Sequence, residues 1–265
     1  MTLTFYKYQG AGNDFVMIDN RNLHFNKCTH LIKQLCDRRF GIGADGLILL
    51  ENDSEHNSDF RMVYYNADGN ESTMCGNGGR CIVAFANFLG LIYKECSFIA
   101  IDGMHKATFL GDEVDLQMTN VEEIIPRKED VFLNTGSPHH VSFVERLEEY
   151  PIVENGRRIR NEETYASIGG TNVNFVSQLA TNSFAVRTYE RGVEDETLAC
   201  GTGVTAVAIA AHHQGLTDKQ EVQLKAMGGE LSVRFHFDNE TNSYRDVWLK
   251  GPAKQVFKGE VLCEV

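Results

Sequence analysis

The sequence predicts an α+β protein of two pseudo-repeated lobes, each a curled, mostly antiparallel, barrel-like sheet around a central apolar helix. Three observations predict this class. Short alternating or β-branched runs dominate the chain, two segments lack a polar face, and the same cysteine-glycine motif precedes both segments. Because a sheet and an apolar helix must each bury an apolar surface, wrapping one around the other accommodates all of these runs.

The predicted strands are short runs rich in branched and aromatic residues. They cover residues 3–8, 15–19, 46–50, 59–65, 141–144, 173–177, 184–189, 231–237 and 246–249. Two segments, 78–89 and 203–213, consist almost wholly of small and apolar residues and are predicted to be helices buried on all sides. Each precedes a glycine, Gly90 or Gly215, where a helix C-cap is expected. A shorter amphipathic helix is predicted over 30–38.

The two apolar helices belong to a near-repeat between the halves of the chain. Tyr65 is followed ten residues later by the motif that begins at Cys75, Cys-Gly-Asn-Gly. Tyr189 is followed eleven residues later by the motif that begins at Cys200, Cys-Gly-Thr-Gly. The order strand, loop, Cys-Gly-x-Gly, helix therefore occurs twice and predicts two related lobes, with a chance resemblance of two glycine-rich turns as the alternative.

Composition and charge exclude several classes of protein. Of 265 residues, 42% are hydrophobic and 23% are charged, which excludes a disordered chain. The net charge of -12 argues against nucleic acid or an anionic membrane surface as a partner. A small anionic substrate remains compatible, because local cations and backbone N–H groups can outweigh the global charge inside a cleft.

The chain is expected to be a cytoplasmic protein with reduced thiols. No run approaches the about 18 apolar residues that a membrane span requires, and the first residues do not resemble a secretory signal. None of the seven cysteines forms a Cys-x-x-Cys pair. Adjacent histidines, such as those at 139–140 and 212–213, lack further ligands at metal-binding spacing, so no metal site is expected.

Cys75 and Cys200 are the candidates for acid–base chemistry. Each precedes a glycine-rich turn that opens a helix, where unpaired N–H groups and the helix dipole favour a thiolate. If the lobes face one another, one thiolate could remove a proton from a stereocentre while the other thiol supplies a proton to the opposite face. Buried, inert thiols are the alternative, assigned to the remaining cysteines: Cys28, Cys36, Cys81, Cys96 and Cys263.

The sequence resembles the diaminopimelate epimerases over nearly its whole length. The matching stretches are GAGNDFVMID from Gly10, FGIGADGLILL from Phe40, YNADGN from Tyr65, MCGNGGRC from Met74, TGSPHHV from Thr135, GTNVNFV from Gly170 and YERGVEDETLACGTG from Tyr189. These are cofactor-independent amino-acid epimerases of lysine and peptidoglycan-precursor biosynthesis. The resemblance implies that LL- and meso-2,6-diaminopimelate are interconverted by Cys75 and Cys200, without pyridoxal phosphate or metal, in a homodimer. It also implies an N-terminal lobe of residues 1–118 with 257–265 returning to it, and a C-terminal lobe of 119–256.

The resemblance assigns further site residues by position. Those expected to contact substrate are Asn13, Asn66, Asn172, Glu190 and Arg191, with Gly76, Asn77, Gly201 and Thr202 around the reacting carboxylate. His139 and Glu190 are expected to influence the protonation of the thiols. Two positions depart from the family pattern: Ser137 stands where many relatives have asparagine, and Gly46 where some have glutamine.

The sequence also offers patterns that are typical of other functions. The glycines at 41, 43 and 46 match a dinucleotide fingerprint, but a helix precedes them and a strand follows, which reverses the order that this fingerprint needs. A racemase of another amino acid shares the two-thiol chemistry. A hydrolase or transferase with a single nucleophilic cysteine would need only one motif, and a non-catalytic binding module would activate neither thiol.

Overall fold

The computed structural model describes residues 2–263. Residues 1, 264 and 265, which belong to the predicted N-terminal lobe, lie outside the described residues. The chain forms two compact units: unit 1 contains the chain up to Leu116 together with the part from Gly251 onward, and unit 2 is Gln117–Lys250. None of the helices within residues 2–263 has the length and hydropathy that crossing a bilayer requires.

Strands make up most of the regular structure. They are β1 (Thr2–Gly10), β2 (Asn13–Asp19), β3 (Gly46–Glu51), β4 (Phe60–Asn66), β5 (Glu71–Ser72), β6 (Glu95–Ala100), β7 (Gly103–Phe109), β8 (Glu113–Gln117), β9 (Ile124–Arg127), β10 (Asp130–Asn134), β11 (Pro138–Phe143), β12 (Asn172–Ala180), β13 (Ser183–Glu190), β14 (Asp195–Thr197), β15 (Glu221–Ala226), β16 (Gly229–Asp238), β17 (Ser243–Pro252) and β18 (Lys254–Leu262). The helices are α1 (Thr29–Cys36), α2 (Gly76–Phe88), α3 (Ile152–Arg160), α4 (Glu163–Ala166) and α5 (Gly201–His213).

Unit 1 is a mainly antiparallel sheet that carries α2. Antiparallel pairs join β1 to β2 and β18, β3 to β4, β4 to β5, β6 to β7 and β7 to β8. Parallel pairs join β2 to β3 and β4 to β6, where a helix lies between the strands in sequence. Helix α2 packs against β1, β2, β3 and β7, and its residues 76–86 are all buried.

Unit 2 repeats this topology strand for strand. β10 pairs antiparallel with β9 and β11, β11 runs parallel to β12, and β12 pairs antiparallel with β13. β13 then pairs antiparallel with β14 and parallel with β15, followed by antiparallel pairs β15 with β16 and β16 with β17. Helix α5 takes the place of α2. The predicted pseudo-repeat of mostly antiparallel sheets around apolar helices is confirmed, and the sheet is curled but not closed.

The two buried helices begin two residues earlier than predicted. They were expected to start at residues 78 and 203, but α2 starts at Gly76 and α5 at Gly201. Glycine has a low helix propensity, so the pattern assigned the glycine-rich turns to loops. Because those turns form the first helical turns, Cys75 and Cys200 are themselves the N-cap residues.

The predicted helix ends are confirmed. Gly90 directly follows Leu89, the C-cap residue of α2, and has the left-handed conformation with φ of 74°. The next N–H group, that of Leu91, donates to the carbonyl of Ala86 at 3.0 Å, which is the Schellman pattern. The same arrangement recurs after α5, where Gly215 has φ of 71°.

Helix α3 was not predicted. Its buried residues, Ile152, Gly156 and Ile159, are spaced for one helical face, but charged residues and a central glycine surround them. The glycine has a packing reason, because a Cβ at position 156 would lie 2.3 Å from Cβ of Tyr189 on β13. A residue chosen for close packing on the sheet therefore weakened the sequence signal for the helix.

Candidate active site

Cys75 faces an oriented amide in unit 1. It is partly exposed and has an extended backbone (φ -90°, ψ 131°). Its Sγ lies 3.6 Å from Oδ1 of Asn13, the first residue of β2. Asn13 donates through Nδ2 to Asp45 Oδ2 at 2.6 Å and accepts at Oδ1 from Asn77 Nδ2 at 3.3 Å. Since a carboxylate at neutral pH only accepts, the Asp45 contact fixes the amide with its oxygen toward the thiol.

Arg80 is a buried cation behind this turn. It is 0% exposed, and its Nη2 donates to Asn77 Oδ1 at 2.8 Å while Nη1 donates to the Gly76 carbonyl at 3.4 Å. Burial lowers the pKa of Arg80, an effect that the Cys81 and Cys75 thiols oppose. A positive charge here favours the negative form of a nearby thiol. Arg80 was not among the predicted site residues, although a single charged residue inside an otherwise apolar helix is a signal that the sequence carries.

Cys200 contacts a hydroxyl group in unit 2. It is 8% exposed and has an extended backbone (φ -112°, ψ 113°). Its Sγ lies 3.4 Å from Oγ1 of Thr202, and the same oxygen lies 2.9 Å from Nε2 of His139 on β11. The Thr202 carbonyl accepts a hydrogen bond from Thr135 Oγ1 at 2.9 Å. The structure thus brings together three of the predicted site residues.

His139 is a buried, neutral imidazole. It is 0% exposed, and burial, together with the positive charge of Arg191, lowers the pKa of His139 to about 3. Its Nδ1 lies 3.1 Å from Nδ2 of Asn174 on β12. Asn174 was not among the predicted site residues, although it is a polar residue inside the apolar run 173–177.

The predicted carboxylate donors occupy the first turns of the two helices. Gly76 and Asn77 open α2, and Gly201 and Thr202 open α5. The α2 ladder begins with the N–H of Gly79, which bonds the Cys75 carbonyl at 2.7 Å, and α5 begins in the same way. N–H groups of the first helical turn precede the i→i−4 ladder and lie at the positive end of the helix dipole, which suits an anion.

Asn172 and Arg191 form a second polar group in unit 2. Asn172 accepts at Oδ1 from the Arg191 N–H at 2.8 Å and donates through Nδ2 to Ser137 Oγ at 2.8 Å. The Arg191 guanidinium donates through Nη1 to the carbonyls of Ile168 and Gly170 at 3.0 and 3.3 Å. Ser137, one of the two departures from the family pattern, therefore contacts a predicted substrate-binding residue.

Glu190 and Asn66 end equivalent strands, β13 and β4. Glu190 accepts at Oε2 from Thr197 Oγ1 at 2.9 Å, while Asn66 is exposed. Gly46, the other departure, pairs with Asn66, and a Cβ there would lie 2.6 Å from the Tyr64 ring. The same Cβ would lie 2.6 Å from the carbonyl oxygen of Tyr65, so a longer side chain at position 46 would require both the Tyr64 ring and the strand backbone to move.

The other cysteines differ in burial. Cys36, Cys81 and Cys96 are buried, and burial raises the pKa of each thiol to about 12, as expected for inert thiols. The expectation of burial was wrong for Cys28, which is exposed, and Cys263 is partly exposed. Cys28 lies directly before α1, where the chain remains at the surface.

His140 and His212, one from each pair of adjacent histidines, make hydrogen bonds within unit 2. His140 contacts the Tyr165 hydroxyl at 2.8 Å and Asp130 Oδ2 at 3.0 Å. His212 lies in the last turn of α5 and contacts the Tyr244 hydroxyl at 2.9 Å. Within residues 2–263, no three His, Cys, Asp or Glu side chains are grouped so that they could hold a metal ion.

Known structures share this fold. A phenazine biosynthesis protein of the PhzF family from Bacillus anthracis matches with a TM-score of 0.78 at 14% identity, covering 99% of this chain and 100% of its own. A hydroxyproline epimerase from Agrobacterium vitis matches with a TM-score of 0.68 at 14% identity, covering 98% of this chain and 92% of its own. These likenesses define the class of fold, which is the fold of the PhzF and proline racemase proteins.

Sequence comparison defines the family. The family profile described as diaminopimelate epimerase matches residues 5–122 and 131–256. A diaminopimelate epimerase from Flavobacterium psychrophilum is 55% identical over 96% of this chain and 98% of its own length. One from Chlorobaculum tepidum is 42% identical over 95% and 98%, respectively. The chain belongs to the diaminopimelate epimerase family, whose members are isomerases.

Proposed function

We propose that this protein interconverts LL- and meso-2,6-diaminopimelate by two-base proton transfer, with Cys75 and Cys200 as the acid and base. The proposal depends on one observation, the repeated cysteine at the N-cap of a buried helix in a chain of this family. A cysteine at a helix N-terminus is a favoured place for a thiolate.

The proposed reaction uses one sulfur on each face of the substrate α-carbon. The thiolate of one cysteine takes the α-proton and becomes a thiol, while the electron pair of the C–H bond stays on carbon. That pair then forms a new C–H bond with the proton of the other thiol, on the opposite face. The configuration inverts, and the enzyme is left with one thiol and one thiolate whose positions have exchanged.

The helix N-termini would bind the carboxylate next to the reacting carbon. Its donors are the first-turn N–H groups of Gly76, Asn77, Gly201 and Thr202. They favour the negative charge that develops on the carbon and its carboxylate as the proton leaves.

The remaining polar residues would bind the rest of the substrate. Amide side chains can donate to carboxylates and accept from ammonium groups, and a guanidinium can hold a carboxylate through two hydrogen bonds. We assign this binding to Asn13, Asn66, Asn172, Glu190 and Arg191, and an influence on thiol protonation to His139 and Glu190.

Further parts of the proposal rest on the family resemblance. We propose that the reaction needs neither pyridoxal phosphate nor metal, and that the protein is a cytoplasmic homodimer that binds neither nucleic acid nor membrane. Each predicted lobe, residues 1–118 with 257–265 and residues 119–256, supplies one of the two thiols.

The test is turnover of LL-2,6-diaminopimelate in deuterium oxide. Product should gain deuterium at the inverted α-carbon, and Cys75→Ser and Cys200→Ser should each lower kcat by about 10²–10⁴, the contribution of a positioned acid or base. Cys28→Ser, which changes an exposed cysteine, serves as the control and should retain wild-type turnover. Normal epimerisation by either active-site variant contradicts the mechanism, and turnover of other amino acids alone would assign a different racemase.

A further inference from the structure

The two units differ at equivalent positions that face the buried helices. In unit 1, Ile48 of β3 pairs with Tyr64 of β4. At the same place in unit 2, Asn174 of β12 pairs with Thr188 of β13. An apolar and aromatic pair in one unit is therefore replaced by a polar pair in the other.

The neighbouring strands, β2 in unit 1 and β11 in unit 2, show the same kind of difference. Phe15 of β2 pairs with Gly46 in unit 1, and His139 of β11 pairs with Asn172 at the equivalent place in unit 2. Both aromatic side chains are 0% exposed. A fully hydrogen-bonded buried polar group holds its neighbours in one arrangement. Each hydrogen bond among the polar residues of unit 2 therefore has a defined donor and a defined acceptor.

The orientation of the Asn174 amide follows from its neighbours. Its Nδ2 lies 3.1 Å from the carbonyl oxygen of His140, and its Oδ1 lies 3.0 Å from Oγ1 of Thr188. A backbone carbonyl can only accept, so the atom that faces it must be the amide nitrogen. The same nitrogen faces His139 Nδ1 at 3.1 Å, and this ring nitrogen must therefore accept.

The tautomer of His139 sets the direction of the next hydrogen bonds. A neutral imidazole with an accepting Nδ1 carries its proton on Nε2. Nε2 then donates to Oγ1 of Thr202 at 2.9 Å, which leaves the Thr202 hydroxyl proton to be donated to Sγ of Cys200 at 3.4 Å.

We propose that Asn174 is a positioning residue, which holds His139 in the Nε2-protonated tautomer so that a directed hydrogen-bond chain through Thr202 favours the thiolate of Cys200. This inference rests on the proposed function, because it explains how one of the two thiols is prepared to accept the α-proton. It applies to Cys200 alone, since the equivalent positions of unit 1 hold Phe15 and Ile48.

Other charged groups also act on the two thiols. Near Cys200, His139 on β11 belongs to the hydrogen-bond chain, Glu190 ends β13, and the positive charge of Arg191, the next residue, acts on His139. Near Cys75, Arg80 on α2 interacts electrostatically with the thiol, and Asp102 accepts from the N–H of Met74. The test must therefore separate the hydrogen-bond chain from charge acting through space.

The first measurement is the tautomer of His139 in the free wild-type enzyme. ¹⁵N-labelled histidine and long-range ¹H–¹⁵N correlation distinguish a protonated from an unprotonated ring nitrogen, with His139→Asn for assignment. We expect an unprotonated Nδ1 and a protonated Nε2, and the Nδ1-protonated form after Asn174→Asp. A wild-type His139 with its proton on Nδ1, or on both nitrogens, overturns the proposal without any variant.

The second measurement is the pH midpoint of alkylation at each thiol by iodoacetamide, read by peptide mass spectrometry. The pH midpoint reports the pKa of the thiol, whereas the access of the reagent to the sulfur changes only the alkylation rate at a given pH. Asn174→Asp should raise the Cys200 midpoint by about one pH unit, because a hydrogen bond to a charged sulfur is lost, and should leave that of Cys75 unchanged. Asn174→Ala should raise it by a smaller amount, which covers the case that the charged variant does not fold.

A double-mutant cycle with Thr202→Val excludes a simple charge effect. If the chain carries the effect, Asn174→Asp adds no shift once Thr202→Val has broken the chain. Additive shifts, an unchanged Cys200 midpoint, or equal shifts at Cys75 each overturn the proposal. The tautomer and the pH midpoints are measured without substrate. A protein that fails to turn over diaminopimelate would therefore refute the proposed function without changing the outcome of these two measurements.

Discussion

The repeat provides a matched pair of substitutions at the third residue of each buried helix, Gly203→Ala and Gly78→Ala. A Cβ at position 203 would lie 2.5 Å from Oδ1 of Asn174 and 3.4 Å from Sγ of Cys200. That amide is bonded to the neighbouring strand and cannot withdraw without losing hydrogen bonds. At position 78 the nearest atoms are Cδ1 of Ile48 at 3.0 Å and Cε of Met62 at 3.4 Å, the ends of side chains that can rotate.

The magnitudes differ accordingly. Alanine in place of glycine inside a helix gains about 0.5–1 kcal/mol. Overpacking costs about 1–3 kcal/mol, and the loss of a hydrogen bond costs about 1 kcal/mol. Gly203→Ala should therefore lower the free energy of unfolding by about 1–3 kcal/mol, whereas Gly78→Ala should stay within about 1 kcal/mol of wild type.

Urea unfolding and steady-state turnover of LL-2,6-diaminopimelate measure both effects. We expect Gly203→Ala to lose about tenfold or more in kcat, because it displaces the amide that orients His139, and Gly78→Ala to lose less. A Gly203→Ala variant that is as stable and as active as Gly78→Ala would refute the reasoning, since it would mean that the Asn174 network can move without consequence.

Two further predictions concern stability. Burial alone would raise the pKa of Asp14, but hydrogen bonds and charges from Arg38 and Lys7 outweigh it and hold this pKa at about 2, below the ordinary 3.8. The interactions of Asp14 with Arg38 and Lys7 therefore contribute about 2 kcal/mol to the free energy of unfolding above about pH 4, and this contribution is lost as the pH falls toward 2. The difference in thermal midpoint between wild type and Asp14→Asn should disappear over that interval. Gly215 has φ of 71° with open space around its would-be Cβ, so Gly215→Ala should lower the free energy of unfolding by about 1 kcal/mol and leave kcat unchanged. A drop in kcat at equal folded fraction would contradict its assignment as a cap.

The sequence predicted those elements whose signal is local. The run 46–50 was expected as a strand and is β3, which is buried along its whole length. The glycine caps after α2 and α5 were predicted because a left-handed residue at a helix end favours glycine in any fold. Such signals need no knowledge of which strands pair.

Elements that depend on distant partners were missed. β18 carries mostly exposed residues, yet it pairs with β1 from the opposite end of the chain, so its strand conformation is fixed by that pairing. β15 is a different case, because its residues alternate between exposed and buried positions over Glu221–Ala226, and a stricter search for period-two alternation would have found it.

The residues of the candidate site also differ in how far the sequence alone indicates them. The place of Cys75 and Cys200 at helix starts could be predicted because a glycine-rich turn before an apolar run is a local signal, whereas their chemical role stays a prediction. Asn174 and Arg80 each carried a signal, a polar residue within an apolar run, but the signal did not indicate a role. Asn174 meets Thr188 only when the two strands pair, and the burial of the Arg80 guanidinium beside Asn77 is known only from the folded chain.

Symmetry and asymmetry have separate uses in this fold. The proposed inversion needs one sulfur on each face of the reacting carbon, and the cysteines at the two repeated N-caps are the residues proposed to supply them. Each sulfur must also carry a proton in one direction of reaction and lack it in the other, so a contact that locked Cys200 as thiolate would slow the return. A hydroxyl avoids this, because Thr202 Oγ1 can accept from His139 and donate to a thiolate, or accept from both His139 and a protonated sulfur. In the proposed hydrogen-bond chain, threonine between histidine and cysteine would therefore favour the thiolate of Cys200 while still allowing this sulfur to be protonated.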